Sequence, residues 1–137
     1  MTDAARHWDD VYQRKAPHEV SWYRPHLDVS LDLIARVATP RARVLDVGGG
    51  ESTLVDDLLD RGFDAVEVND LSPTALEVAK ARLGARAATV TWRVGDITTL
   101  ALPPASIDVW HDRAVFHFLT DEAQRRAYVA QVLHAVR

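Results

Sequence analysis

An α/β fold with a doubly wound, mostly parallel sheet is predicted by two features of this 137-residue sequence. From residue 43 onward, short apolar segments alternate with amphipathic helical segments, which is typical of a parallel sheet covered by helices on both faces. Each apolar segment is also followed within two residues by a glycine or an acidic residue. Right-handed crossovers would bring these ends to the same edge of the sheet, where such folds bind ligands.

The composition is that of one globular domain spanning residues 1–137. The chain has 47% hydrophobic and 26% charged residues, which argues against disorder, and a chain of this length buries roughly two-thirds of its unfolded surface. A net charge of −4 without a basic stripe argues against a nucleic-acid partner. No cysteine is present to form disulfides or thiolate metal sites. Because no signal-peptide or membrane-spanning segment is evident, a cytoplasmic location is expected.

The N-terminal part, residues 1–40, is predicted to contain two helices and an aromatic segment. In residues 3–15, Trp8, Val11 and Tyr12 have helical spacing. Residues 18–25, which include Trp22 and Tyr23, have neither helical nor strand periodicity. A second amphipathic helix is predicted over residues 26–38, before Pro40.

The remainder, residues 41–137, is predicted to be a core of alternating strands and helices. Strands are expected at residues 43–47, 65–69, 89–94 and 107–110, the third of them at a sheet edge because its two faces differ in polarity. One helix follows the glycines, and another begins at Ser72 and Pro73. The last helix is expected to be capped by Thr120 and to bury the apolar stripe of Val129, Val132, Leu133 and Val136.

Three consecutive glycines, Gly48, Gly49 and Gly50, directly follow the first predicted strand. Glycine permits tight turns and close approach of a ligand to the backbone. Because a helix follows at once, its first N–H groups are expected to point toward the same place. The segment therefore indicates a cradle for a nucleotide-type ligand.

An acidic residue stands at the end of each of the four predicted strands, and the fourth end also carries a histidine and an arginine. Asp46 lies beside the glycines, Asp70 and Asp96 end the next two strands, and residues 111–113 (His-Asp-Arg) end the fourth. An acid about 20 residues beyond the glycines is well placed to accept hydrogen bonds from ribose hydroxyls. Asp70 follows Gly50 by 20 residues, so it is the predicted ribose ligand.

Other ligand motifs match this segment less well. Thr53 occupies the place of the third glycine of a dinucleotide fingerprint, and the Gly-Lys-Ser/Thr of a P-loop is absent. Ser52 lacks the closing glycine of a nucleophile elbow, and His111 with His117 does not form a recognisable metal set, so no metal is expected. Asp46 next to the cradle would repel a dinucleotide but suits a ligand with a cationic centre, such as S-adenosylmethionine (SAM).

Three motifs resemble the SAM-binding motifs of class I (seven-β-strand, Rossmann-like) methyltransferases. They are Val44-Leu45-Asp46-Val47-Gly48-Gly49-Gly50, Asn69-Asp70-Leu71-Ser72-Pro73 and Gly95-Asp96-Ile97. The flanking segments, residues 8–12, 19–23 and 108–118, are similar to bacterial SAM methyltransferases. More distantly they resemble the eukaryotic branch that methylates lysines of elongation factor and citrate synthase.

The resemblance implies a set of cofactor-binding residues. Asp46, Gly48 and Gly50 would contact the methionine end of SAM, Asp70 its ribose, and Leu71, Asp96 and Ile97 its adenine. Matches to the lysine-methylating branch add Trp8, Tyr12, one of Trp22 and Tyr23, and Arg113.

The implied function is transfer of a methyl group from SAM to a small molecule or a protein, lysine included. Such a transfer depends mainly on positioning. If the acceptor is an ammonium, His111 and Asp112 are the candidate catalytic residues, and a hydrogen-bonding role that shapes the loop is the alternative for both. The other candidate functions are a non-catalytic SAM-binding remnant and an NAD(P)-binding oxidoreductase; Thr53, Asp46 and the Trp22-Tyr23 segment disfavour the oxidoreductase.

The resemblance also implies strands beyond residue 137, in the order 3-2-1-4-5-7-6. Without them the fourth strand, residues 107–110, would leave an open apolar edge. We therefore expect this chain to aggregate, self-associate through that edge or bind SAM weakly.

Overall fold

A computed structural model describes residues 3–14, 26–50 and 52–137. Its elements follow the predicted alternation of helices and strands. In order they are α1 (Asp3–Arg14), α2 (Asp28–Val37), β1 (Arg43–Val47), α3 (Leu54–Asp60), β2 (Ala65–Asp70), α4 (Pro73–Leu83), β3 (Thr91–Val94), β4 (Val109–Asp112) and α5 (Glu122–Ala135).

The four strands form one parallel sheet in the order β3-β2-β1-β4. The predicted α/β class is therefore confirmed, and β3 lies at an edge as expected. In the register of the central strand, Asp46 lies between Val68 of β2 and His111 of β4. The carboxyl ends of the strands, where the polar residues stand, thus meet at one rim.

Helices pack on both faces of the sheet, because side chains of a strand alternate between its two faces. On one face, Val44 packs with buried residues of α2, α3 and α4, among them Leu31, Leu58 and Leu76. On the other face, Leu45 and Val47 pack with Ile97, Leu102, Ile107, Tyr128 and Ala135. This doubly wound arrangement fixes which helix each rim residue can reach.

The N-terminal helices lie where periodicity placed them. Leu31 and Ile34 of α2 are buried, with Leu27 just before the helix. Among the side chains of α1 that the structure describes, Ala5 and Asp9 are buried. The predicted aromatic segment with Trp22 and Tyr23 lies outside the described residues.

Two strand boundaries differ from the prediction. The third strand begins at Thr91 and not at residue 89, because a 3₁₀ helix, Gly84–Thr89, occupies the preceding residues. The fourth strand is Val109–Asp112, shifted by two residues. Ile107 is fully buried and forms a parallel bridge with Val136. The prediction of an open apolar edge over residues 107–110 is therefore wrong for Ile107.

The last helix differs at its start and on its surface. Its cap is Asp121, which accepts a hydrogen bond from the Ala123 N–H, and not Thr120. Leu133 is 78% exposed and Val129 47% exposed, so the predicted four-residue buried stripe is wrong for both. Tyr128 and Ala135 are the buried residues of α5. Of the helices in the described residues, none has the length and apolar content needed to cross a membrane.

Candidate functional site

The glycine segment makes a tight turn between β1 and α3. Gly48 and Gly50 have φ of 66° and 50°, values that favour glycine. The Gly49 N–H donates to the Asn69 carbonyl at 3.0 Å, which ties the turn to β2. A Cβ on Gly49 would stand 2.8 Å from Asp46 Oδ2 and 2.7 Å from Val68 Cγ1. A side chain at Gly49 would therefore clash with residues of the two neighbouring strands.

Asp70 is a buried carboxyl at the end of β2. One of its oxygens accepts a hydrogen bond from the Ser72 N–H at 2.9 Å, and the N–H groups of Gly50 and Leu71 also bond to it. Burial nevertheless raises the pKa of Asp70 to about 7, helped by the nearby negative charge of Asp46. The three hydrogen bonds that lower this pKa come from backbone N–H groups, so these donors to the carboxyl are neutral.

Asp46 and His111 connect β1 to β4, and Ser30 extends the chain of hydrogen bonds to α2. Asp46 Oδ1 lies 2.9 Å from His111 Nδ1, and the Ser30 hydroxyl lies 2.8 Å from His111 Nε2. The side chains of Asp46 and His111 are 4% and 12% exposed. Burial opposes a charge on the ring, but the Asp46 carboxylate outweighs it, so the pKa of His111 is raised.

Asp96 organises the loop after β3. Its Oδ1 accepts from the N–H of Thr98 at 2.9 Å and from the Thr98 hydroxyl at 2.7 Å. Ile97 beside it is buried. From α5, Gln131 donates to the carbonyls of Ile97 and Leu100 at 2.8 and 2.6 Å. The loop is therefore held against the face of the sheet that α5 covers.

Asp112, predicted as a candidate catalytic residue, is occupied by hydrogen bonds that shape the loop. It accepts from the N–H groups of Val115 and Phe116 at 2.7 and 3.1 Å, and from the Tyr128 hydroxyl of α5. Burial and the bond to Asp112 raise the pKa of Tyr128. Trp110 completes this cluster by donating to the Tyr128 oxygen at 2.8 Å.

Helix α1 joins the rim at two strand ends. Asp9 Oδ1 accepts from the Ser72 hydroxyl at 2.5 Å and from the Thr74 N–H at 3.0 Å, so it caps the start of α4. Trp8 packs edge-on against Phe118, in the loop after β4, with ring centroids 5.6 Å apart. Helix α1 thus reaches from the end of β2 to the loop that follows β4.

The structure brings most of the predicted site residues to one rim. Hydrogen bonds link the glycine turn to β2, Gly95 to the Asp70 carbonyl at 3.0 Å, and Asp46 to His111. Leu71 is half-buried beside Asp70, whereas Arg113 is exposed. The backbone of Tyr12 belongs to α1, its side chain is not described, and Trp22 lies outside the described residues.

Ser30, Asp9 and Gln131 were not found from the sequence. Each one acts through a contact to a residue 31 to 81 positions away, and periodicity carries no signal for such contacts. Asp9 could have been suspected, since an acid on the helix face beside Trp8 and Tyr12 is unexpected in an apolar interface. Within the described residues, no group of three metal-binding side chains comes together.

Comparison with known proteins places this geometry in a family. Residues 44–137 match the family described as "Methyltransferase domain". The chain is 27% identical over 122 residues to the mouse (Mus musculus) "eEF1A lysine and N-terminal methyltransferase", covering 88% of this chain but 17% of that protein's length. It is 28% identical over 135 residues to bovine (Bos taurus) "EEF1A lysine methyltransferase 4", covering 96% of this chain and 51% of that protein.

Solved structures share the fold. The amino pentose methyltransferase CalS10 of Micromonospora echinaspora, solved with SAM bound, superposes with a TM-score of 0.65 at 28% identity, covering 94% of this chain and 51% of that one. A structure reported under "Conversion of a Disulfide Bond into a Thioacetal Group during Echinomycin Biosynthesis" superposes with a TM-score of 0.78 at 26% identity. The match covers 98% of this chain and 56% of that one. Because the family match spans more than half of the chain, this protein belongs to the methyltransferase domain family and has the class I, Rossmann-like fold.

Proposed function

We propose that this chain is the cofactor-binding core of a SAM-dependent methyltransferase. The observation that carries the proposal is the rim itself, where the glycine turn lies beside the strand-end acids Asp46 and Asp70. Hydrogen bonds join the turn to β2, β2 to Gly95 and Asp46 to His111. SAM would supply a methyl group activated by a sulfonium. The chain's part is to hold it, to exclude water and to orient the acceptor.

The donor chemistry of the rim fits this cofactor. Asp70 is a buried carboxyl held by neutral N–H donors, so it can accept hydrogen bonds from two ribose hydroxyls. Leu71 and Ile97 offer apolar surface for an adenine ring, and Asp96 an acceptor for its amino group. Asp46 with the turn at Gly48 and Gly50 would take the cationic methionine end, and Trp8, Tyr12, Trp22 and Arg113 complete the proposed set.

The acceptor is proposed to be an amine, with protein lysine as the first candidate. The names of the mouse and bovine relatives refer to lysine or N-terminal methylation, whereas the CalS10 title describes an amino pentose methyltransferase. Nitrogen is the acceptor atom in the names of the mouse and bovine relatives. Because an amino pentose carries an amino group, a small amine is the second candidate. A cytoplasmic location and the lack of a nucleic-acid partner stay predictions, the latter supported by the net charge of −4.

Calorimetric titration of the chain with SAM tests the cofactor assignment. We expect Asp70→Ala to weaken SAM binding at least about 30-fold, the equivalent of about 2 kcal/mol, as for other lost charged hydrogen bonds. Asp64→Ala is the matched control, because Asp64 is exposed and directly precedes the first residue of the same strand. Equal SAM affinity of the Asp70→Ala and wild-type chains would remove Asp70 from the site.

A second titration separates the competing functions. NAD should not bind where SAM does, and NAD binding without SAM binding would favour the oxidoreductase. Methyl transfer from tritium-labelled SAM to lysine-containing peptides would then distinguish an enzyme from a non-catalytic SAM-binding remnant.

A further inference from the structure

A serine, a histidine and an aspartate form a chain of hydrogen bonds at the edge of the proposed cofactor site. The Ser30 hydroxyl is 2.8 Å from His111 Nε2, and His111 Nδ1 is 2.9 Å from Asp46 Oδ1. The three residues come from α2, β4 and β1. Asp46 is the most deeply buried of them, and Ser30, on the outer helix, is half-buried.

The protons of this chain can be assigned from its partners. A carboxylate only accepts hydrogen bonds, so His111 Nδ1 carries a proton and donates to Asp46. In the neutral ring, Nε2 is therefore the acceptor, and the Ser30 hydroxyl donates to it. The two lone pairs of the Ser30 oxygen then remain to accept a hydrogen bond from a cationic donor.

We propose that Ser30 and His111, supported by Asp46, remove the proton from an ammonium group of the methyl acceptor. This inference rests on the proposed function and deepens it, because it makes a charged amine the acceptor class. The ammonium N–H bond breaks and its electron pair stays on nitrogen. The proton passes to the Ser30 oxygen as the serine proton passes to His111 Nε2, and water later takes it from the ring.

The charges around His111 suit this role. Asp46 on β1 and Asp112 on β4 favour the protonated ring, while Arg113 opposes it, and α2 contributes the uncharged Ser30 hydroxyl. The net result is a pKa of His111 above its ordinary value. A ring whose protonated form is favoured by two neighbouring carboxylates is suited to accept a proton during turnover.

Transfer rates at saturating SAM, measured from pH 6 to 10, test the relay. The probes are N-acetylated peptides with one lysine, and peptides with a free N-terminus and arginine in place of lysine. We expect His111→Asn, which keeps a donor to Asp46 but cannot titrate, to lower kcat/KM for the lysine peptides about 100-fold at pH 7. Ser30→Ala should lower it also, and Ser30→Thr should restore it.

The effect of pH separates proton removal from a structural role. A lysine amine has a pKa of about 10.4 and an α-amine one of about 8, so solvent removes the proton where pH is high. The loss in His111→Asn should therefore shrink below about tenfold at pH 10 for lysine peptides, and already at pH 9 for α-amine peptides. A structural defect would persist at every pH.

His26→Asn is the matched control. His26 also pairs with a carboxylate, Asp57 at 3.0 Å, and that pairing raises its pKa, but none of the serines that the structure describes is hydrogen-bonded to its ring. Its pH profile should equal that of the wild type.

An equal fractional loss of kcat/KM in His111→Asn at all pH values and for both peptides would overturn the relay. SAM binding without transfer to either peptide would also overturn it, whereas no SAM binding would overturn the proposed function itself.

Discussion

At Asp70, burial and three backbone N–H groups act in opposite directions on one carboxyl group. Burial dominates and raises its pKa to about 7. The folded chain thus binds more protons than the unfolded chain between about pH 4 and 7, so the contribution of Asp70 to stability decreases as pH rises through that range. Ionisable groups with strongly shifted pKa values are common at functional sites.

This carboxyl predicts a pH dependence of cofactor binding. Because ribose hydroxyls bond better to the charged form, SAM affinity should rise about tenfold from pH 6 to pH 8. Calorimetry at several pH values measures this rise, and Asp70→Asn should bind weakly with little dependence on pH. A wild-type affinity that stays constant across this range would show that Asp70 does not titrate at the site.

Gly48 gives a second prediction at the scale of one residue. A Cβ there would lie 2.2 Å from Val115 Cγ2, and φ is 66°. Left-handed strain and overpacking together should make Gly48→Ala about 3 kcal/mol less stable, as measured by urea unfolding. Gly62→Ala, at φ 87° with open space around it, should cost about 1 kcal/mol. If Val115→Ala fails to recover part of the loss at Gly48, the steric explanation is wrong.

At the scale of elements, α1 is fastened to the sheet domain by a polar contact. Asp9 accepts from the Ser72 hydroxyl and the Thr74 N–H, while the Ser72 oxygen accepts from the Ala75 N–H at 3.1 Å. Two residues from distant parts of the sequence thus cap one helix. The cap couples the order of the N-terminal helix to the strand end that carries Asp70.

Removal of this cap should loosen α1 selectively. We expect Asp9→Ala to lower the free energy of unfolding by about 2 kcal/mol and to speed amide hydrogen exchange in α1 and the first turn of α4. Exchange in α5 serves as the internal reference, since it lies on the other face of the sheet. If amide exchange became faster in α5 to the same extent, the substitution would have destabilised the whole fold and not α1 alone.

Helix α5 predicts a contrast between its outer face and the core. Leu133 is 78% exposed, whereas Leu58 of α3 is 1% exposed. Leu133→Gln should therefore change stability by less than about 0.5 kcal/mol, and Leu58→Ala should cost about 2–5 kcal/mol. Thermal unfolding of both variants checks this; a large cost at Leu133 would mean that its face is covered in solution.

At the scale of the whole molecule, the described sheet has β3 and β4 at its edges. The bridge from Ile107 to Val136 covers only the beginning of the β4 edge. Residues Val109–Asp112 pair with β1 alone among the described strands. Backbone groups along this edge can therefore pair with another chain.

We predict that the chain self-associates through this edge. Sedimentation velocity should show a dimer or larger species that grows with protein concentration, and SAM affinity should fall as it forms. A monomer at every concentration with full SAM affinity would contradict the prediction.

The sequence by itself determined the alternation of strands and helices, the parallel sheet and the positions of the strand-end acids, since periodicity and turn residues are local signals. It could not choose between His111 and Asp112, which are adjacent and both polar. The tertiary structure separates them, because adjacent strand residues point to opposite faces. His111 thus meets Ser30 of α2, and Asp112 meets Tyr128 of α5. Contacts across 81 and 16 residues have no local signature, so only the folded chain shows that the two side chains have different partners.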